Sequence, residues 1–223
     1  MHDPIYEEAY QGHIIKIYHD PDAESPRAWS NLGTLICWHR RYRLGDSHEF
    51  ESPEEFLSDL ADVSDHSDLS MEHLRDRAER KAILLPVFLY DHSGLAMNTI
   101  GFHCPWDSGQ VGYVYVTLKA VRTEFGVKRI SKALREKAED ILRGEIVSYD
   151  AYLGGRVYGY VIEWDGEEVD ACWGFVGDYE LDCLLEARRA VPAPSPVPCR
   201  LPPHKTTPGS TPPSGSPPAP PCS

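Results

Sequence analysis

The sequence predicts an α+β fold: a mainly antiparallel sheet of about six strands with inserted helices, plus a disordered C-terminal tail. Three observations lead there. Apolar runs of strand length come in pairs, with helical stretches between the pairs. The last pair meets at Asp165-Gly166, a dipeptide suited to the positive φ angles of a tight hairpin. No unit of strand, glycine-rich loop and helix occurs, which argues against the parallel sheets of Rossmann and P-loop proteins.

Taken in order, residues 12–18 (GHIIKIY) read as a strand closed by the turn-rich run 20–26. A second strand is expected over 34–42 (TLICWHRRY) after the turn at Asn31-Leu32-Gly33. Alternation would place Leu35, Cys37, His39 and Arg41 on one face and Ile36, Trp38 and Arg40 on the other. Both faces start apolar and end charged, as in a strand running from the core to a rim. Ser52-Pro53-Glu54-Glu55 opens a helix with a capping hydroxyl, proline at the first helical position and two carboxylates facing the positive end of the helix dipole. Phe56, Leu57, Leu60 and Val63 supply its apolar stripe, and a second short helix is expected over 71–81.

Residues 83–90 (ILLPVFLY) are apolar on both faces, so they predict a buried strand, with Pro86 marking a bulge or an unpaired edge. A strand over 110–117 and a short helix over 118–125, ended by Gly126, follow. Residues 129–143 form an amphipathic helix that buries Ile130, Leu134, Ala138, Ile141 and Leu142 and is capped by Gly144. Lys132 with Glu136, and Arg135 with Glu139, are spaced for ion pairs on its surface. A further helical turn or two is expected over 145–153. Strands over 156–164 and 168–175 form the hairpin, and a helix over 178–190 closes a single domain of residues 1–191.

Residues 192–223 hold thirteen of the nineteen prolines. Such a segment buries too little apolar surface to offset its ordering entropy, so a disordered, extended tail is expected. The formal charge is -13. That balance disfavours a simple DNA or RNA binder, which needs surplus Lys and Arg to neutralise phosphates, and suits a basic partner instead. The first residues have neither the basic start nor the apolar run of a signal peptide, and the longest apolar run is too short to span a bilayer, so a cytoplasmic protein without a membrane partner is expected. Six cysteines without any CxxC pair do not make a secreted disulfide scaffold.

Charge is unevenly spread. Residues 46–80 carry twelve acidic and three basic side chains, among them Glu54, Glu55, Asp59, Asp62, Asp65 and Asp68. Residues 119–137 reverse this, with Lys119, Arg122, Lys128, Arg129, Lys132, Arg135 and Lys137 against Glu124 and Glu136. Either the two runs compensate each other within the fold or they are separate partner surfaces, and direct nucleic-acid binding would have to use the basic one.

The stretch 97–116 (MNTIGFHCPWDSGQVGYVYV) packs Cys, His, Trp and Asp beside three glycines and then enters a strand, as a built site would. Within it Cys104 is a candidate nucleophile, with His103 or His92 as base and Asp107 or Asp91 orienting the imidazole. The simpler reading makes Pro105 to Gly109 a turn with Trp106 over the sheet end. Cys37, His39, His103 and Cys104 are residue types that bind zinc, but they lack the usual spacing; the expectation is no cofactor, with zinc as the alternative.

The segments NLGTLICWHRRYRLGD, IGFHCPWDSGQVGYVYV, YDAYLGGRVYGYVIE and DACWGFVGD together resemble a family of uncharacterised proteins encoded by phages, plasmids and other mobile elements, over roughly residues 10–190. The resemblance implies a genetic context, in which acidic accessory proteins are often inhibitors of host defence, of anti-restriction or anti-CRISPR type, acting in the host cytoplasm. The resulting expectation is a non-enzymatic inhibitor whose partner is a host defence protein or ribonucleoprotein complex, met through the acidic surface. Trp38, Arg40, Arg41 and Trp106 form the alternative contact rim. The competing expectation is a Zn- or Cys-dependent enzyme centred on His103, Cys104 and Asp107.

Overall fold

Among the described residues, eight strands form two antiparallel four-stranded sheets where the sequence suggests one sheet of about six. The computed structural model describes residues 3–64 and 69–192, all within the unit Met1–Pro192. The readings for Asp65, Asp68 and the tail beyond Pro192 therefore lie outside the described residues. The strands are β1 (Tyr6–Tyr10), β2 (His13–His19), β3 (Thr34–Cys37), β4 (Ala82–Asp91), β5 (Leu95–Asn98), β6 (Ser108–Thr117), β7 (Val157–Trp164) and β8 (Glu167–Val176). The helices are α1 (Pro53–Leu60), α2 (Met71–Glu79), α3 (Leu118–Glu124), α4 (Lys132–Leu153) and α5 (Leu184–Ala190).

The first sheet has the order β1-β2-β7-β8. Ile15, Ile17, Tyr158, Tyr160 and Ile162 on one of its faces pack against Cys183, Leu184 and Ala187 from α5 and the π turn before it. β1 was not foreseen, because YEEAY sets two glutamates among tyrosines. Its period-two burial is nevertheless that of a strand. Tyr6, Glu8 and Tyr10 share the half-buried face, and Glu8 is tolerated there because Arg188 of α5 donates to both its oxygens at 2.7 Å. The β7–β8 hairpin turns at Asp165 (φ 52) and Gly166 (φ 84), as the dipeptide predicts.

The second sheet has the order β3-β6-β4-β5 and is covered on both faces. On one, Leu35, Ile83, Leu85, Val87, Val114 and Val116 meet Ala138, Leu142, Ile146 and Tyr149 of α4. On the other, Ile36, Leu84 and Tyr113 meet Phe56 and Leu57 of α1 and Leu74 and Ala78 of α2. This sandwiching explains the continuous apolar run of β4. Pro86 sits where β5 has not yet begun to pair, since β5 reaches only Phe88, so its missing N–H interrupts no β5 ladder. The bulge lies one step further on, between Val87 and Phe88, with Val111 as the extra residue of β6.

Several elements depart from the sequence reading. β3 stops at Cys37, so the alternation expected through Tyr42 holds for only four residues. β5 lies within what reads as loop. Ser52 caps α1 as expected, its Oγ accepting from Glu55 N, but the helix ends at Leu60 and Val63 falls beyond it. α4 runs unbroken from Lys132 to Leu153 with Ser131 as its N-cap, so Gly144 caps nothing. Gly144 lies on the exposed face, where its cost of about 1 kcal/mol relative to alanine is outweighed by burying Ile146 and Tyr149 further along the same helix. The two ion pairs foreseen on this helix form, Lys132–Glu136 at 3.7 Å and Arg135–Glu139 at 3.6 Å.

Candidate functional site

The chain leaves the second sheet at Trp38 and returns at Gly45, and the two ends of this excursion are tied together. Ile36 and Gly45 form an antiparallel bridge, and Asp46 N donates to Leu35 O at 2.7 Å. Gly45 has φ +74, and a Cβ there would lie 2.5 Å from Leu35 O, so both conformation and space require glycine. Arg27 secures the closure. Its Nε and Nη2 donate to the two Asp46 oxygens at 2.9 and 2.6 Å, its Nη1 to Glu145 Oε2 at 3.2 Å, and its Nη2 also to Gly33 O at 2.7 Å. Glu145 Oε1 in turn accepts from Leu32 N at 2.6 Å. With its side chain only 6% exposed, Arg27 is a buried charge whose partners are fully hydrogen-bonded, the condition under which such an ion survives desolvation.

Between those anchored ends, Arg40, Arg41, Tyr42 and Arg43 are exposed. The His39 ring stacks on Tyr42 with centroids 5.1 Å apart and planes 9° apart, and its Nδ1 lies 3.4 and 3.3 Å from the N–H groups of Arg41 and Tyr42. The Arg41 guanidinium lies 5.5 Å from the Tyr42 ring centre and pairs with Asp91 at the end of β4. That ion pair sets the loop against the turn after β4. His92 in this turn approaches Asp107 Oδ2 with Nδ1 at 3.6 Å, and Cys104 Sγ reaches the same oxygen at 3.4 Å. One end of the second sheet thus collects three separate segments: residues 38–45, 91–94 and 99–107. At its tip Trp106 is 93% exposed and Ile100 84%.

The loop 99–107 is built locally. Asn98 Oδ1 accepts from Ile100 N and Gly101 N, and Ser108 Oγ donates to Cys104 O at 2.5 Å. The turn reading of residues 105–109 therefore holds in part, but Trp106 points into solvent and does not cover the sheet end. Trp38 departs from the rim as well: it is half-buried, its Nε1 donates to Phe50 O at 3.0 Å, and its ring packs near Phe56. Arg40, Arg41 and Trp106 remain as rim residues, joined by Tyr42 and Arg43, which sequence reasoning passed over.

The proposed zinc ligands are not brought together. Cys37 faces the α4 core, where burial, reinforced by the Asp46 carboxylate, pushes its thiol up to about 12. His39 is engaged with Tyr42, and His103 is exposed. Among the described residues, no three His, Cys, Asp or Glu side chains are placed to share a metal. For the nucleophile reading, the hydrogen-bond partner of Cys104 is the Asp107 carboxylate and not the imidazole of His103 or His92 that the reading takes as its base.

Of the acidic residues, Glu54, Glu55 and Asp59 are exposed on α1, while Asp62 follows the helix and is paired with Lys81. Asp59 and Asp62 line one groove with Arg80, Lys81, Lys119 and Arg122, so the acidic and basic runs partly face each other.

Elsewhere, the motif residues have structural tasks. Asp150 accepts from Met97 N at 2.7 Å and from Arg156 at 2.6 Å, joining α4 to β5. A Cβ at Gly112 would lie 1.9 Å from Ile36 O, and one at Gly159 would lie 2.1 Å from the Trp173 ring. The pairings of Asp150 with Met97 and of Gly112 with Ile36 carry no local signal in the sequence, since they join residues far apart in the chain.

Fold and site together define a two-sheet α+β protein with a basic, aromatic rim at one end of its second sheet. No protein-family model, curated protein or solved structure matches the chain. No helix among the described residues is long and apolar enough to cross a membrane.

Proposed function

We propose that this chain is a non-enzymatic binding protein of a mobile element, and that it inhibits a host nucleic-acid-targeting defence complex, of anti-CRISPR or anti-restriction type, through the rim. The observation that carries this reading is the 93% exposure of Trp106 at the same end of the second sheet as the exposed Arg40, Arg41, Tyr42 and Arg43. Trp, Tyr and Arg are the residues that most often dominate the energetics of protein interfaces. A fully exposed Trp on a locally hydrogen-bonded loop loses solvated apolar area only when a partner covers it. The resemblance of the motifs to mobile-element proteins supplies the biological context. The acidic surface of α1, with Glu54, Glu55 and Asp59, becomes the secondary contact, because Asp62 is already neutralised by Lys81.

The test is inhibition of a reconstituted defence nuclease. Trp106→Ala is expected to abolish inhibition and the double reversal Asp59→Lys/Asp62→Lys to leave most of it. The opposite pattern would return the contact to the acidic face. A second reading, a Cys-dependent enzyme, is favoured by one observation only, the meeting of Cys104 and His92 at Asp107. Under the binding reading Cys104→Ser keeps full inhibition; a loss confined to that variant, with the fold intact, would favour the enzyme.

A further inference from the structure

The segment 37–48 borders an open concavity of about 610 Å³ lined by His39, Arg40, Tyr42, Arg43, Ser47 and His48, among others. We infer that this concavity binds the phosphate group of a small, nucleotide-sized ligand, with Arg40 and Arg43 as the phosphate clamp. The inference goes beyond the protein-contact reading of the rim and does not depend on it.

Charge is the first support. Asp46 is the carboxylate in the lining, and Arg27 already neutralises it through two hydrogen bonds. Arg41 is likewise committed, to Asp91. Arg40 and Arg43 differ: both line the concavity and, among the described residues, neither is in an ion pair, so the lining carries positive charge without a compensating carboxylate. Guanidinium forks match phosphate oxygens in pairs, and charge-assisted contacts of this kind are roughly twice as strong as neutral ones.

The second support is an unmet polar atom in the same wall. His48 Nε2 lies 3.0 Å from Cys37 O and so carries the proton it donates there. Its Nδ1 is buried and is the one such side-chain atom among the described residues with no hydrogen-bond partner. With the proton on Nε2, Nδ1 is an acceptor, so it calls for a hydrogen-bond donor such as a ligand hydroxyl and makes no contact with the phosphate itself.

Size and global charge select the ligand class. The volume lies in the range of about 300–1,000 Å³ typical of small-molecule sites. The net charge of -13 repels an extended polyanion but costs little for a single phosphate met by two local arginines. The stacked His39–Tyr42 pair offers an aromatic edge beside the clamp, suited to a ligand with a ring next to its phosphate.

Calorimetric titration of the full chain with AMP, ribose 5-phosphate, inorganic phosphate and adenosine tests the proposal. The phosphate-bearing probes are expected to bind, and adenosine at least about tenfold more weakly than AMP. Tighter binding of AMP than of inorganic phosphate identifies a nucleotide as the source of the phosphate; equal binding identifies free phosphate, and both support the site. Arg40→Ala/Arg43→Ala should weaken AMP about tenfold or more, Arg43→Lys should restore part of the loss, and Lys132→Ala on the far helix should change nothing. Because both arginines are exposed, an unchanged thermal midpoint shows that the variant is folded. Absence of binding by every phosphate probe, adenosine binding as tightly as AMP, or undiminished binding in the double variant would each overturn the proposal.

Discussion

The ends and the middle of the segment Asn31 to Asp46 are treated differently by the fold. At the ends, Gly33, Leu35, Gly45 and Asp46 are joined to Arg27, Glu145 and Tyr149 by hydrogen bonds or by space that admits no larger side chain. In the middle, Arg40, Tyr42 and Arg43 are exposed, and only Arg41 has an ionic partner. A segment can therefore look uniformly specific as sequence and still divide into a part that the fold requires and a part that it merely displays. The same division runs through the second long motif, where Gly112 is required by the close approach of β3 and Trp106 is not required at all.

The comparison breaks most visibly at its anchored end. Arg27→Met leaves Asp46 and Glu145 as buried or half-buried carboxylates without their cation, and a loss of about 3–5 kcal/mol is expected. For a unit of this size that corresponds to a fall in thermal midpoint of roughly 10 °C, measurable by calorimetry. A fall of only a degree or two would mean that the Arg27 cluster orients the loop without holding the fold.

Gly112→Ala comes next. Its Cβ would collide with the backbone of β3, which cannot move without disturbing the sheet, so overpacking should cost about 1–3 kcal/mol. Urea unfolding gives the value directly, and a neutral result would show that β3 is free to shift away from β6.

A smaller effect, and one that depends on pH, is expected at the first sheet. The Arg188 guanidinium holds the Glu8 carboxyl below its ordinary range. Its stabilisation is thus present above the unfolded value of about 4.3 and is lost as the pH falls through the lowered folded value. The difference in thermal midpoint between the wild type and Glu8→Gln should be largest near neutrality and vanish in acid. A difference that persists at low pH would assign it to packing against Tyr6 and Tyr10 and not to charge.

The displayed residues should show the least effect on stability. Arg40→Ala, Arg43→Ala and Trp106→Ala are each expected to change stability by less than about 0.5 kcal/mol. If one of them destabilised the chain as much as Arg27→Met, the division between anchored and displayed residues would fail, and with it the basis for reading the rim as functional.

Much of this molecule is legible from local chemistry. The Ser52 cap with Pro53, the Asp165-Gly166 hairpin, the buried run of β4 and the surface ion pairs of α4 depend on neighbours within a few residues, and those neighbours are on view in the sequence. The candidate site was legible only in part. Arg40, Arg41 and Trp106 stood out by residue type, while Arg43, Tyr42 and His48 did not, because what marks them is the cavity they share.

By itself the sequence determined the α+β class, the antiparallel hairpins and most helix starts, since capping, turn conformation and period-two or helical spacing act over a few residues. Only the tertiary structure decided that there are two sheets, that β3 ends at Cys37, that α4 continues through Gly144, and that residues 38–45, 91–94 and 99–107 share one rim. Each of these turns on a pairing across tens of residues: Asp46 with Arg27, Tyr149 with Gly45, Arg41 with Asp91. Such pairings are selected by the burial and hydrogen-bonding needs of the assembled core, and no window along the chain contains both partners.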